Sequence, residues 1–514
     1  MKRKLIALGI GMLFGVVQPA LAAEQEELEI VRQTTVNLIY ALVEKGVLTQ
    51  EAANDLIKQA EKSAKKKVDE TKAAQGNVVR VPYVPESVKR EIRDQVKQEV
   101  VAQAKAERWG DVNAVPEWVD RMHWEGDIRV RYQQDRYATG NDLPAQFDVF
   151  YGFPLDTTTN TTENRDRYRL RARLGLTAKI SSMVSGGVRI VTGNNSDPVS
   201  TNQTLGNNEQ KYSLWLDQAY LKLEPTEWLS ALGGRMPNPW FHTDLVWDAD
   251  LNFDGFAANA RYRFDERRSV YLTAGAFPIQ DVAPSKIVKA KSKWLYGVQA
   301  GADITALSGS KARFGVALYD YRNVEGIPDT AVGLLDYTAT QPQTRQKGNS
   351  VFREGATDVY KLASQFKELN LTAQLDIANF DPTHVILTAD YVRNIGFDEN
   401  EIRQRTNLSS TNTVYNKKTL GYQLQATVGR PKIQDRGDWQ ASVGYRYLER
   451  DAVLDAFTDS DFRLGGTDSK GYFLGGSYGI DRNTWLSLKW MSADGISALR
   501  YGVDVFQVDL NARF

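Results

Sequence analysis

Arginine recurs at every second position over one stretch of this sequence, at Arg165, Arg167, Arg169, Arg171 and Arg173, with Arg129 and Arg131 before it and Arg189 after. On an extended chain alternate residues share a face and stand about 6.6 to 6.8 Å apart. Such a series is a fixed stripe of positive charge that can attract anions or pair with carboxylates. A second concentration lies between Pro237 and Asn252, where Asp244, Asp248 and Asp250 stand among Trp240, Phe241 and Trp247. That segment is too aromatic for an ordinary exposed loop. Candidates for bond-making chemistry are few: His123, His242 and His384 are scattered, and no HExxH or phosphate-binding loop occurs. The candidate pair weighed is His242 with Asp244, and a solvated loop pair is the plainer reading, so no enzyme is expected. Asp248, Asp250 and Asp254 lack the glycine and terminal glutamate of a calcium loop, so neither a metal site nor a cofactor is expected. With 0 Cys the chain has no disulfide or thiolate chemistry. Its 64 basic and 64 acidic residues exert no bulk attraction on nucleic acid, which is not expected as a partner.

The elements that would position these residues are strands. From Trp124 to Gln133 the even positions are Trp, Gly, Ile, Val and Tyr and the odd ones are Glu125, Asp127, Arg129, Arg131 and Gln133. The same split runs through Tyr168, Leu170, Ala172, Leu174 and Leu176 against the arginines. It returns in Leu420 to Val428 and in Trp439 to Tyr447. Period-two alternation of this kind predicts strands near 124–133, 165–179, 184–193, 212–223, 228–236, 253–264, 268–277 and 293–304. A second eight are predicted near 311–321, 369–378, 384–394, 419–429, 438–449, 470–480, 484–492 and 503–514. Short links with turn chemistry alternate with longer ones, the longest from about Arg322 to Glu368.

The first 110 residues read differently. Lys2, Arg3 and Lys4, the apolar run Leu5 to Val17 and Ala20-Leu21-Ala22 form a secretory signal peptide over 1–22. Leu28, Val31, Thr35, Leu38 and Leu42 then recur at helical spacing until Gly46, and Thr49 can cap a second helix. Beyond Pro82 and Pro85 a third helix is predicted, with Val88, Ile92, Val96 and Val100 on one narrow stripe that needs partner helices, as in a coiled coil. Residues 23–110 are expected to be a helical periplasmic segment, 111–123 a linker and 124–514 the strand domain. No later run approaches the roughly 20 apolar residues of a membrane-spanning helix. If the chain enters a membrane, it does so as strands.

A soluble sandwich would turn its polar faces outward, whereas a barrel of about sixteen strands would turn them inward onto water and its apolar faces onto lipid. Mean hydropathy of −0.44 together with 23 Tyr and 11 Trp suits the barrel. So does the end of the chain, where Phe506, Val508, Leu510, Ala512 and Phe514 alternate up to a terminal aromatic carboxylate, similar to the sorting signal of outer-membrane barrels. The fold expected is therefore a transmembrane antiparallel β-barrel preceded by a short α-helical segment. Leu42-Val43-Glu44-Lys45-Gly46-Val47-Leu48-Thr49, Gly234-Arg235-Met236-Pro237-Asn238-Pro239 and Trp247-Asp248-Ala249-Asp250-Leu251-Asn252-Phe253-Asp254-Gly255 resemble the putative-porin family of Gram-negative bacteria.

That resemblance implies a water-filled outer-membrane channel for passive diffusion of small polar or charged solutes. The partners it implies are outer-membrane lipid and lipopolysaccharide, two further copies of the chain in a homotrimer, and the barrel assembly machinery. Because a lipid-facing arginine at mid-bilayer costs about 2 to 4 kcal/mol, Arg129, Arg131, Arg167, Arg169, Arg171, Arg173 and Arg189 are expected to line the pore. The third outside loop, with Trp240, Phe241, Asp244, Trp247, Asp248 and Asp250, is expected to fold into the channel opposite them and to leave a weak anion preference. A solute-specific channel, and a barrel that anchors an envelope tether or adhesin, stand as alternatives.

Overall fold

A computed structural model describes residues 121–153, 159–282, 291–326, 346–353, 360–406 and 416–514, with isolated positions before these. The expected signal peptide, helical segment and most of the linker lie outside the described residues. In the first half, β1 (Met122–Tyr137), β2 (Arg165–Lys179), β3 (Val184–Val191), β4 (Trp215–Thr226), β5 (Leu229–Pro237), β6 (Asn252–Arg263), β7 (Arg268–Gln280) and β8 (Lys293–Thr305) follow one another. The second half holds β9 (Lys311–Arg322), β10 (Lys367–Phe380), β11 (Thr383–Asn394), β12 (Leu420–Gly429), β13 (Trp439–Leu448), β14 (Ser469–Asp481), β15 (Thr484–Gly495) and β16 (Val503–Arg513). Each pairs antiparallel with its sequence neighbours, and β1 pairs with β16 from Asp127↔Arg513 to Tyr137↔Val503. The sixteen strands therefore form a closed antiparallel barrel with no free edge. A two-residue strand, Gln203–Thr204, attaches to β2.

Alternation decides which face is which. Trp124, Ile128, Val130, Tyr168, Leu174, Val188 and Phe256 are exposed on the outside, while Arg131, Gln133, Asp135, Gln299, Asn370, Asp390 and Gln507 are buried within. The connections alternate too. One end carries tight links at 180–183, 227–228, 264–267, 306–310, 381–382 and 482–483, with 430–438 the longest of them. In the link between β14 and β15, Asn483 adopts φ +56, a conformation asparagine tolerates. The other end carries eight connections, most of them longer, of which the third (238–251), the described residues of the fifth (323–326, 346–353 and 360–366) and the seventh (449–468) reach into the barrel or brace the segments that do. Some connections hold regular structure that their sequences do not announce: helices α1 (Pro144–Tyr151) and α2 (Glu399–Thr406) and a hairpin of Val351–Arg353 with Tyr360–Leu362.

The interior departs from the expectation of a wholly polar, water-filled lumen. Toward the loop end, inward positions of neighbouring strands are apolar: Phe253, Phe277, Leu295, Tyr319, Tyr321 and Val392. They pack with Met236, Trp240, Leu245 and Trp247 from the third loop and its approach, and with Val453 and Leu454 from the seventh. Full burial of one such side chain contributes about 1.5 to 3 kcal/mol. Loops that could trail into solvent are thus fixed inside the barrel, and its polar wall is divided between paired charges and a smaller open space.

Candidate functional site

The register of β1 and β2 sets Arg129 opposite Arg171 and Arg131 opposite Arg169. Like charges so placed repel, and the wall answers with acids. Asp127 accepts from Arg171 Nη2 at 2.8 Å and from Arg173 Nε at 2.6 Å. Arg131 forms a fork with Asp509 on β16, at 2.7 and 2.9 Å, and reaches Asp461 of the seventh loop at 3.0 Å. Arg129 donates to Asn202 and stands 4.0 Å from Asp509. Arg167 pairs with Asp135 at 3.1 Å and Arg189 with Asp217 at 2.6 Å. Arg169 bonds only the Gln133 amide oxygen, at 3.4 Å, among the described residues. All seven predicted arginines face inward, but six are paired with or border a carboxylate. Burial works to raise the pKa of Asp461; Arg131 above all, with Lys489, Arg169 and Arg129, overcomes it and holds this carboxyl far below the usual range.

The third loop crosses into the barrel. Trp240 packs edge-on to Tyr319 and Phe277, at 5.2 and 6.0 Å between centroids, and Trp247 to Tyr319 and Phe253 at 5.0 and 5.1 Å. Both tryptophans are buried and serve as anchors. The Phe241 amide donates to Gln299 Oε1 and its carbonyl accepts from Gln299 Nε2, both at 2.8 Å, and the Arg313 guanidinium lies over its ring at 4.4 Å. Thr243 donates to Asp390 at 2.6 Å. The loop therefore grips β8, β9 and β11, strands further along the wall from its root at β6.

Its three acids take different places. Asp250 meets the arginine wall, 3.2 Å from Arg173 and 3.7 Å from Arg171, and accepts from Thr201 Oγ1 at 3.0 Å. Burial opposes its ionisation, yet Arg171, Arg173 and Arg129 hold its pKa below the ordinary value. Asp248 faces the seventh loop instead: its amide donates to the Phe457 carbonyl and its carboxyl accepts from the Ser460 amide, each at 2.9 Å. Burial first, then Asp459, Asp250 and Asp244, pushes its pKa well above normal. Asp244 borders a cavity toward β13 and β15. His242 donates to the Thr243 carbonyl at 3.3 Å, and burial lowers its pKa against the pull of Asp244.

The seventh loop is the element that sequence reasoning missed. Residues 453–462 meet the third loop from the opposite strands: Thr458 Oγ1 donates to the Leu245 carbonyl at 2.9 Å, and Asp459 pairs with Arg446 at 2.9 Å. Asn349 of the fifth loop ties this arch down through the Arg450 and Val453 carbonyls, at 2.6 and 2.8 Å. Its signal was present, since Asp455, Phe457, Asp459, Asp461 and Phe462 repeat the acid-plus-aromatic composition used for the third loop. At the other end of the barrel Phe506, Val508 and Leu510 face outward, and Phe514 exchanges two 3.0 Å backbone hydrogen bonds with Gly126. The terminal ring covers that glycine so closely that a Cβ there would stand 2.4 Å from it.

The chain resembles solved outer-membrane structures at low identity. OmpF of Salmonella typhi in complex with daunomycin is 12% identical, with 76% of this chain and 97% of that chain covered and a TM-score of 0.40. OprB of Pseudomonas putida at high pH is 13% identical, with 79% and 97% covered and a TM-score of 0.46. The outer membrane channel DcaP of Acinetobacter baumannii is 13% identical, with 76% and 97% covered and a TM-score of 0.39. No curated protein matches. A family model described as "Putative porin" matches residues 32–514, nearly the whole length, and with the closed barrel and its apolar exterior it establishes that the chain belongs to this family of outer-membrane channels.

Proposed function

We propose that the channel is a porin for passive diffusion of small polar or charged solutes, with a weak preference for anions. The observation that carries this reading is the division of the lumen: the third and seventh loops meet inside the barrel and leave a polar, charged space beside them. Weak anion preference is supported by Arg169 and Lys489, for which no ion pair occurs among the described residues. Liposome swelling tests the proposal: uptake of neutral sugars should be fast for small ones and fall with size. Folded protein in the liposomes without swelling overturns it, and would favour the barrel as an anchor.

We further propose a homotrimer with residues 23–110 in the periplasm after removal of a signal peptide, contacting lipopolysaccharide and inserted by the barrel assembly machinery. An even strand number supports the placement, because both ends of the barrel then lie on the short-turn side. The stripe Val88, Ile92, Val96 and Val100 supports the trimer, and the outward Phe506, Val508, Leu510 and exposed Phe514 support recognition of the last strand.

A further inference from the structure

A cavity of about 220 Å³ lies between the tips of the third and seventh loops and the inner face of β12 to β16. Its polar lining includes Gln425, Gln440 and Ser442. Two of its carboxylates are already held, Asp509 by Arg131 and Asp459 by Arg446. Two charges remain. Asp244 on the third loop and Lys489 on β15 both border the cavity, and among the described residues neither side chain makes a hydrogen bond or ion pair. They sense one another electrostatically across the space without meeting.

We propose that this cavity is a binding subsite for small zwitterionic solutes of the amino-acid type, with Lys489 receiving the carboxylate and Asp244 the ammonium group. The proposal rests on the channel reading and names its solute class. A simple anion drawn to Lys489 is repelled by Asp244, and a simple cation meets the reverse. A zwitterion satisfies both ends at once through charge-assisted hydrogen bonds, which are roughly twice as strong as neutral ones. The volume is below the ~300 Å³ at which drug-sized pockets begin, which suits a solute of a few carbons. Burial, with Asp459, pushes Asp244 above its ordinary pKa while Lys489, Arg446 and His242 pull it down; an ammonium group placed there would complete its ionisation.

The test uses the full-length protein in planar bilayers. Potassium chloride conductance is recorded first. Glycine, 3-aminopropanoate and 4-aminobutanoate are then titrated against acetate, methylammonium and the neutral glycolamide. At least one amino acid should reduce the current saturably, at a concentration tenfold or more below that needed with glycolamide, acetate or methylammonium. Asp244→Asn and Lys489→Gln should each raise that concentration tenfold or more. Equal block by amino acids and glycolamide in the unmodified protein overturns the subsite alone, and this arm stands even where a variant fails to fold. Absence of any potassium chloride conductance overturns the channel reading itself.

Discussion

Replacing Asp250 with asparagine removes the third-loop carboxylate that touches the arginine wall, 3.2 Å from Arg173 and 3.7 Å from Arg171. Breaking a buried pair costs about 3 to 5 kcal/mol when the partner is left alone. Here Asp127 still binds both arginines, so the lower end applies and the loop should stay in place. The main effect is then electrostatic, one additional net positive charge facing the lumen. An ion passing about 8 Å away in water feels such a charge by about 0.5 kcal/mol, with opposite sign for anion and cation. At 0.1 M salt the Debye length of about 10 Å removes roughly half of this, leaving about a twofold rise in the anion-to-cation permeability ratio. Zero-current potentials in a salt gradient read that ratio directly. At 1 M salt, where the Debye length is about 3 Å, the shift should nearly vanish. A potential unmoved at low salt, or moved equally at high salt, would show that Asp250 does not border the ion path.

Changing Arg167, Arg169, Arg171 and Arg173 together to glutamine should move the zero-current potential toward cations, because Asp127, Asp135 and Asp250 lose their partners. Asp248 is an acid whose folded pKa is raised, so its share of stability is full below the unfolded value of about 3.9 and is lost as pH climbs through the folded value. Asp248→Asn should therefore flatten the fall in melting temperature as pH rises from 4 toward 8; an unchanged slope would assign that fall to other groups. Trp247→Ala removes an anchor packed on Phe253 and Tyr319, at a cost of about 3 to 5 kcal/mol, and should give a less stable barrel with larger and noisier single-channel currents.

Strand positions were legible because alternation acts at every residue: β2 matches its sequence span, and β8, β9 and β11 differ from theirs by a residue at one end. The inward direction of the arginines was legible for the same reason. Their partners were not, because the Arg131–Asp509 pair exists only once the first strand closes on the last, a contact between chain ends that no local pattern announces. Aromatic content marked the third loop as unusual but could not say that Trp240 and Trp247 turn into packing while Phe241 lies beneath Arg313. Nor could composition separate the three loop acids, whose surroundings differ by which distant strand or loop each one reaches. Lys489 carries no sequence signal, because a single inward lysine matters only when its neighbours are already paired.

The predictions read as currents or potentials depend on the barrel conducting. Purified full-length protein, shown to be folded by a gel mobility that changes on boiling, should produce stepwise, ohmic current increments when added to a planar bilayer in 1 M potassium chloride. Folded protein that inserts without increments would contradict the assignment as a channel.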